Sequence, residues 1–189
     1  MPAGVCPLWV GHLLASPLRR LLQDPDKILG PYLKPGMTAL DVGSAMGFFS
    51  LPLAKMVGEK GKVVCVDLQE KMLRSLRKRA LKAGLAGRII PRRCGESSLN
   101  LKEFEGKIDF ALVFAVIHEV PDARGFFSEI WKAMKSGSRS LVAEPKWHVS
   151  TEEFEITLSI AKEKGFQVFE RPRIAMSHSA LLAKMRDDP

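Results

Sequence analysis

The chain predicts an α/β fold built on one mostly parallel sheet, and three observations lead there. Short β-branched runs of strand length alternate with helix-length amphipathic stretches from Thr38 to Gly165. The first strand passes directly into a glycine-punctuated turn and a helix, at Thr38-Ala-Leu-Asp-Val-Gly-Ser-Ala-Met-Gly-Phe-Phe-Ser50. The last two strands follow one another with no helix between them, which suits an antiparallel hairpin. The expected architecture is a seven-stranded sheet, mostly parallel with a reversed last strand, with helices on both faces.

Each element has its own signal. Residues 1–35 read as a helical preface: Ser16-Pro17 and Asp24-Pro25 are cap-and-first-turn pairs, and Gly30-Pro31 closes the second helix. Lys34-Pro-Gly36 turns into the first strand, Ala39–Val42, and the helix after it carries Leu51, Leu53, Ala54 and Val57. Lys62-Val-Val-Cys-Val66 is the second strand. The helix Lys71–Gly84 follows, with Met72, Leu73, Leu76, Ala80 and Leu81 inward and its cations on the solvated face. Arg88–Cys94 is a third strand, its Pro91 fitted to an edge. Ile108–Phe114 is a buried fourth strand. Phe127, Ile130, Trp131 and Met134 mark a helix expected to end near Gly137. Arg139–Ala143 is the fifth strand. Ser150-Thr-Glu-Glu153 is a capping box opening a helix with Phe154, Leu158 and Ala161 on its inner face. Phe166–Phe169 and Ser177–Ala183 complete the sheet.

Composition narrows the classes. A chain of 189 residues, 46% apolar and 26% charged, suits a single soluble domain with a full core. Cys6, Cys65 and Cys94 show no metal spacing, so no metal site is expected, and their scatter fits a reducing compartment. With no signal peptide and no membrane span in view, a cytoplasmic protein is the expectation. The net charge of +8 gathers largely at Lys71, Arg74, Arg77, Lys78, Arg79, Lys82, Arg88, Arg92 and Arg93. A solvated helix face accounts for it, and nucleic acid is a possible but not favoured partner.

The glycine turn leaves bare backbone against which a flat ligand can lie. Asp41-Val-Gly-Ser-Ala-Met-Gly47 resembles the first motif of class I S-adenosylmethionine (SAM) dependent methyltransferases, Asp/Glu-x-Gly-x-Gly-x-Gly, with Ala45 in place of the middle glycine. Gly43 has no glycine two residues on, so the Gly-x-Gly-x-x-Gly of nicotinamide enzymes is absent. Further along, Cys94-Gly-Glu96 is similar to the motif whose acidic residue meets the adenine amino group. The segment Asp109–Asp122, with His118 near its end, is similar to the family's fourth strand and loop. Together with the strand ending, the resemblance runs from Thr38 almost to the end of the chain. It implies a Rossmann-like fold, SAM as cofactor, and a small-molecule branch similar to quinone-biosynthesis C-methyltransferases.

Carried onto this sequence, the resemblance gives Asp41, Gly43, Ser44, Ala45, Gly47, Asp67, Leu68, Gly95, Glu96 and Phe114 as cofactor-binding residues. Asp67, ending the second strand, offers two acceptor oxygens to two ribose hydroxyls, a role it would also play toward NAD. Residues 1–35 would form a helical lid over a 36–189 SAM-binding core, placing Trp9 and His12 at the substrate pocket; a hydrophobic brace is the other reading. Glu144 and His148, following the fifth strand, are further pocket candidates. His118 is the candidate base near the reacting methyl, or a brace of its loop. Phe114-Ala-Val-Ile117 stands where DNA amino-methyltransferases carry Asn/Asp-Pro-Pro-aromatic, which argues against that subclass. The functions left open are methyl transfer to a small molecule, methyl transfer to RNA, and SAM binding by a non-catalytic regulatory protein. A dehydrogenase stands behind all three, on its glycine spacing and strand ending.

Overall fold

A computed structural model describes residues 22–185 of the chain. The Ser16-Pro17 helix and the pocket candidates Trp9 and His12 lie outside the described residues. Seven strands form one sheet in the order β3-β2-β1-β4-β5-β7-β6. They are β1 Thr38–Val42, β2 Lys62–Asp67, β3 Ile89–Arg93, β4 Ile108–Phe114, β5 Met134–Pro145, β6 Phe166–Glu170 and β7 Ser177–Lys184. The helices are α1 Pro25–Leu29, α2 Ser50–Met56, α3 Glu70–Lys82, α4 Ala123–Ala133 and α5 Thr151–Glu163. The described residues divide into two compact units, the first ending at Cys94 and the second beginning at Gly95.

In the first unit β1, β2 and β3 pair in parallel, Asp41 opposite Cys65 and Asp67 opposite Arg93. Val63, Val64, Cys65 and Val66 are all fully buried, the continuous apolar run of a strand covered on both faces. Burial pushes the Cys65 thiol well above its ordinary pKa, so it behaves as a small core residue. Pro91 does fall on the edge strand, where its missing N–H breaks no ladder. Helix α1 is capped by Asp24, whose carboxylate accepts from Asp26 N–H at 3.0 Å. Along α3 the inward stripe is Met72, Leu73, Leu76 and Ala80. Leu81, expected inside, is 73% exposed, because one residue beyond Ala80 the helix has turned about 100° away from the core.

In the second unit β4 and β5 run parallel, while β7 is antiparallel to both β5 and β6. The reversed last strand thus lies between its neighbours. The capping box at Ser150 and Glu153 forms as the sequence requires, and Phe154, Leu158 and Ala161 are buried. One boundary departs from expectation. Helix α4 ends at Ala133, and Met134 already begins β5. Its last carbonyls are taken by tertiary donors rather than by a glycine cap: Gly106 and Lys107 N–H reach Lys132 and Ala133, and the Lys184 ammonium donates to Trp131 and Met134 at 2.8 Å each. Gly137, at φ +76°, falls instead where the β4–β5 register shifts.

Lys184 is only 6% exposed and lies 3.7 Å from the Trp131 ring centroid. Lys184→Met keeps the stem but leaves two buried carbonyls short of a donor. It is expected to cost about 2 kcal/mol, read as a Tm lower by roughly 6 °C in a thermal melt. An unchanged Tm would show that water caps this helix equally well.

Candidate active site

The first unit builds a cradle from backbone. Gly43 and Ser44 N–H both donate to the Val66 carbonyl, at 2.9 and 3.0 Å, tying the end of β1 to the end of β2. The chain then turns through left-handed residues: Gly43 at φ +71°, Ala45 at +45° and Gly47 at +85°. At Gly47 the φ of +85° favours glycine, and a side chain there would also press on the Leu76 terminal methyl at 2.4 Å. Ala45 holds its left-handed backbone because Asp67 Oδ2 accepts its N–H at 2.8 Å. Asp67 Oδ1 accepts Gln69 N–H at the same distance, so one carboxylate clamps the ends of two segments. Burial pushes the Asp67 carboxyl up, and these two N–H donors act against that shift. Each oxygen keeps a second lone pair for a ligand hydroxyl.

Two more side chains fix the turn. Ser50 Oγ donates to Asp41 at 2.5 Å, so the buried Asp41 carboxylate anchors the start of α2. Arg79, from the basic face of α3, donates to the Met46 carbonyl at 2.6 Å. Ser44 Oγ is buried and, among the described residues, has no hydrogen-bond partner. An orphaned hydroxyl inside a clamped turn, beside a carboxylate with spare acceptor capacity, fits a polyhydroxylated, polar-ended ligand.

The second unit builds a polar pair. Beyond β4, Ala115 adopts φ +56° while its N–H still bonds the Ala143 carbonyl at 2.7 Å. That left-handed step turns the next two N–H groups, of Val116 and Ile117, toward one point, as in an anion-binding nest. Glu144, at the end of β5 and 1% exposed, fills it: Oε1 accepts both N–H groups at 3.0 and 2.8 Å. Its Oε2 lies 2.5 Å from His118 Nδ1. With a carboxylate on Nδ1, that nitrogen carries the proton, and Nε2 is left with a lone pair. Nε2 is 3.9 Å from Glu119, beyond hydrogen-bond reach. The Glu144 hydrogen bond raises the His118 pKa above its ordinary value, against a smaller lowering by burial. His148 stacks on the His118 ring, centroids 5.4 Å apart and planes 8° from parallel.

A family model described as a methyltransferase domain matches residues 33–187. The chain belongs to this methyltransferase family. Among curated relatives, the ubiquinone/menaquinone biosynthesis C-methyltransferase UbiE of Brucella anthropi is 31% identical over 145 residues, 76% of this chain and 49% of that protein. The enzyme of the same name from Brucella canis is 27% identical over 189 residues, covering 95% of this chain and 67% of that one. The chain therefore spans about half the length of the first of these relatives. A SAM dependent methyltransferase from Aquifex aeolicus matches in structure with a TM-score of 0.83 at 28% identity, over 95% of this chain and 98% of that chain. By family and fold the chain is a methyltransferase domain, similar to class I SAM-dependent methyltransferases.

In this methyltransferase the expected site residues fall into two groups. Gly43, Ser44, Ala45, Gly47 and Asp67 assemble in the first unit around the turn, with Asp41 beneath it and Leu68 half-buried just after Asp67. Glu144, His118 and His148 assemble in the second unit, where Phe114 is buried at the end of β4. Gly95 and Glu96 are exposed, and Gly95 N–H bonds the Ser98 carbonyl at 2.8 Å. One contributor escaped the sequence reading: Arg79 looked like one more surface cation, and nothing in a basic run marks the member that turns inward. At Ala115 the main chain after β4 was expected to matter, but the left-handed φ that makes the nest has no signal in the sequence. Among the described residues no group of three or more His, Cys, Asp or Glu could hold a metal ion. Nor is any described helix long and apolar enough to cross a membrane.

Proposed function

We propose that the chain transfers the methyl group of SAM to a small organic acceptor, with His118 as the group that takes the acceptor's proton. The observation that carries this reading is the Glu144–His118 pair, a buried carboxylate fixing one imidazole nitrogen and freeing the other. Residues 36–189 are read as one SAM-binding core, supported by the family match over 33–187. Cytoplasmic residence is part of the same reading, and rests on the scattered cysteines.

The residues present fit the cofactor. Asp67 would take the ribose hydroxyls on its free lone pairs, and the orphaned Ser44 hydroxyl would find a polar partner. SAM supplies an activated methyl carbon on a sulfonium, so the protein has only to align the acceptor, exclude water and remove a proton. His118 Nε2 accepts that proton, and Glu144 stabilises the resulting imidazolium across Nδ1. Three cations of the basic region are already engaged within the chain: Arg77 on Glu70, Arg79 on Met46 and Arg88 on Ala54. That favours a small acceptor over RNA, as do the UbiE relatives, whose names place them in quinone biosynthesis.

Calorimetric titration with SAM, its demethylated product and NADH tests the cofactor, and methyl transfer over an acceptor panel tests the rest. Binding of SAM and product without NADH is expected. His118→Gln should lower kcat about 100-fold while leaving SAM affinity in place. NADH binding in place of SAM would sink the cofactor assignment. A full rate in His118→Gln would return His118 to a bracing role.

A further inference from the structure

We propose that a groove in the second unit receives the acidic group of an amphipathic acceptor, an inference that rests on the small-molecule transfer proposed above. The groove has a volume of about 440 Å³, within the range of small-ligand sites. Its walls come from the loop after β5, the first turn of α5, and the segment joining β6 to β7. Its larger apolar side chains are Phe154 and Ile174 at the floor, 2% and 8% exposed, and Met176, 54% exposed, while His178 stacks on Phe154 with centroids 5.6 Å apart.

Charge decides what the groove takes. Arg171 is held by Glu155 through two bonds of 2.7 and 2.9 Å, so these two neutralise each other. Lys146 and Arg173 also line the groove, and among the described residues neither side chain has a hydrogen-bond or salt-bridge partner. An apolar floor with two uncompensated cations at its walls matches an apolar body ending in a carboxylate, sulfonate or phosphate. The walls are fixed in advance. Lys146 N–H bonds the Met176 carbonyl at 3.0 Å and Ser177 N–H bonds Ile174 at 3.1 Å, while Ser179 Oγ donates to Pro172. Met176 makes the turn in the left-handed region, at φ +62°.

The groove adjoins the Glu144–His118 pair through the chain itself. Glu144 and His178 are direct partners across the β5–β7 ladder. Two residues past Lys146, His148 stacks on His118. Both features therefore gather at the carboxyl end of β5, the end of an α/β strand at which ligands bind. An acceptor anchored by its acidic group on Lys146 and Arg173 would have its body directed along this end of the strand.

The test uses anilinonaphthalene sulfonate and its uncharged phenylnaphthylamine analogue as fluorescent probes, on wild type and on the double variant Lys146→Glu, Arg173→Glu. Lys102→Glu, an exposed lysine elsewhere in the unit, is the control. The double variant is expected to weaken sulfonate binding about tenfold or more while leaving the uncharged probe and the control unchanged. Equal sulfonate affinity in wild type and double variant, or an equal loss for both probes, would overturn the groove. SAM titration of the same proteins separates this from the function proposed above. If wild type takes up no SAM, that function fails, and the sulfonate result still decides the groove. With phenolic acceptors paired by presence or absence of a carboxylate, the double variant should raise KM only for the acids. The same KM change for both members of a pair would overturn the assignment to the acceptor.

Discussion

Glu144→Ala is expected to destabilise the chain by about 4 kcal/mol, because it strips a buried anion from three donors at once. Val116 and Ile117 N–H would lose their acceptor, and the left-handed step at Ala115 would lose the contact that holds it. Glu144→Gln separates this structural part from the electrostatic part. Its amide oxygen can still accept both N–H groups, but no negative charge faces His118 Nδ1. In wild type the pair raises the His118 pKa in the folded state. The stability it adds is full below the unfolded value near 6.5 and is lost as pH rises through the raised folded value. The gap in stability between wild type and Glu144→Gln should therefore shrink as pH rises through that window. Proton NMR of the His118 ring should show its titration falling toward the ordinary value in Glu144→Gln. The rising limb of the rate against pH should move with it, to lower pH and a lower plateau, because the base is weaker. Identical His118 titrations in both proteins would remove the pair from the mechanism.

Asp67→Ala is expected to weaken SAM binding at least about 100-fold, the equivalent of two hydrogen bonds to a charged acceptor. The effect has two sources in the structure. The carboxylate offers lone pairs to a ligand, and it also holds the Ala45 and Gln69 N–H groups. Because Ala45 is not glycine, its φ of +45° depends on that clamp more than a glycine would. Asp67→Ala combined with Ala45→Gly tells the two apart: the glycine relieves the strained turn but returns no acceptor. Calorimetry should find SAM affinity still depressed in the combined variant. Recovery to within about threefold of wild type would mean that Asp67 acts on the turn alone.

The Lys184 ammonium shows why boundaries were less legible than elements. The periodicity of Phe127, Ile130 and Trp131 announces a helix, and Gly137 is the nearest local stop. The actual stop comes four residues earlier, where donors distant in sequence satisfy the last carbonyls. Local stop signals carry no information about such donors. The capping box at Ser150, the proline cap at Asp24 and the edge position of Pro91 were legible for the opposite reason, since each depends on residues a few positions apart or on one missing N–H.

The same division runs through the site. Spacing alone determined the strand-to-helix turn, its glycines, the carboxylate at the end of β2 and the histidine after β4, because backbone sterics and strand length place those groups without outside help. The antiparallel ending was also present in the order of the elements, since two strands without a crossover must run opposite ways. What only the tertiary structure decided is what each charged group does. Asp41 anchors Ser50, Arg79 holds Met46, Glu144 fills the nest beyond β4, and Lys146 and Arg173, among the described residues, are left without partners on one groove. A charged side chain is buried or solvated, paired or free, according to which distant donors and acceptors the folded chain brings within about 3 Å of it. That proximity is set by the packing of the sheet and not by neighbours in sequence.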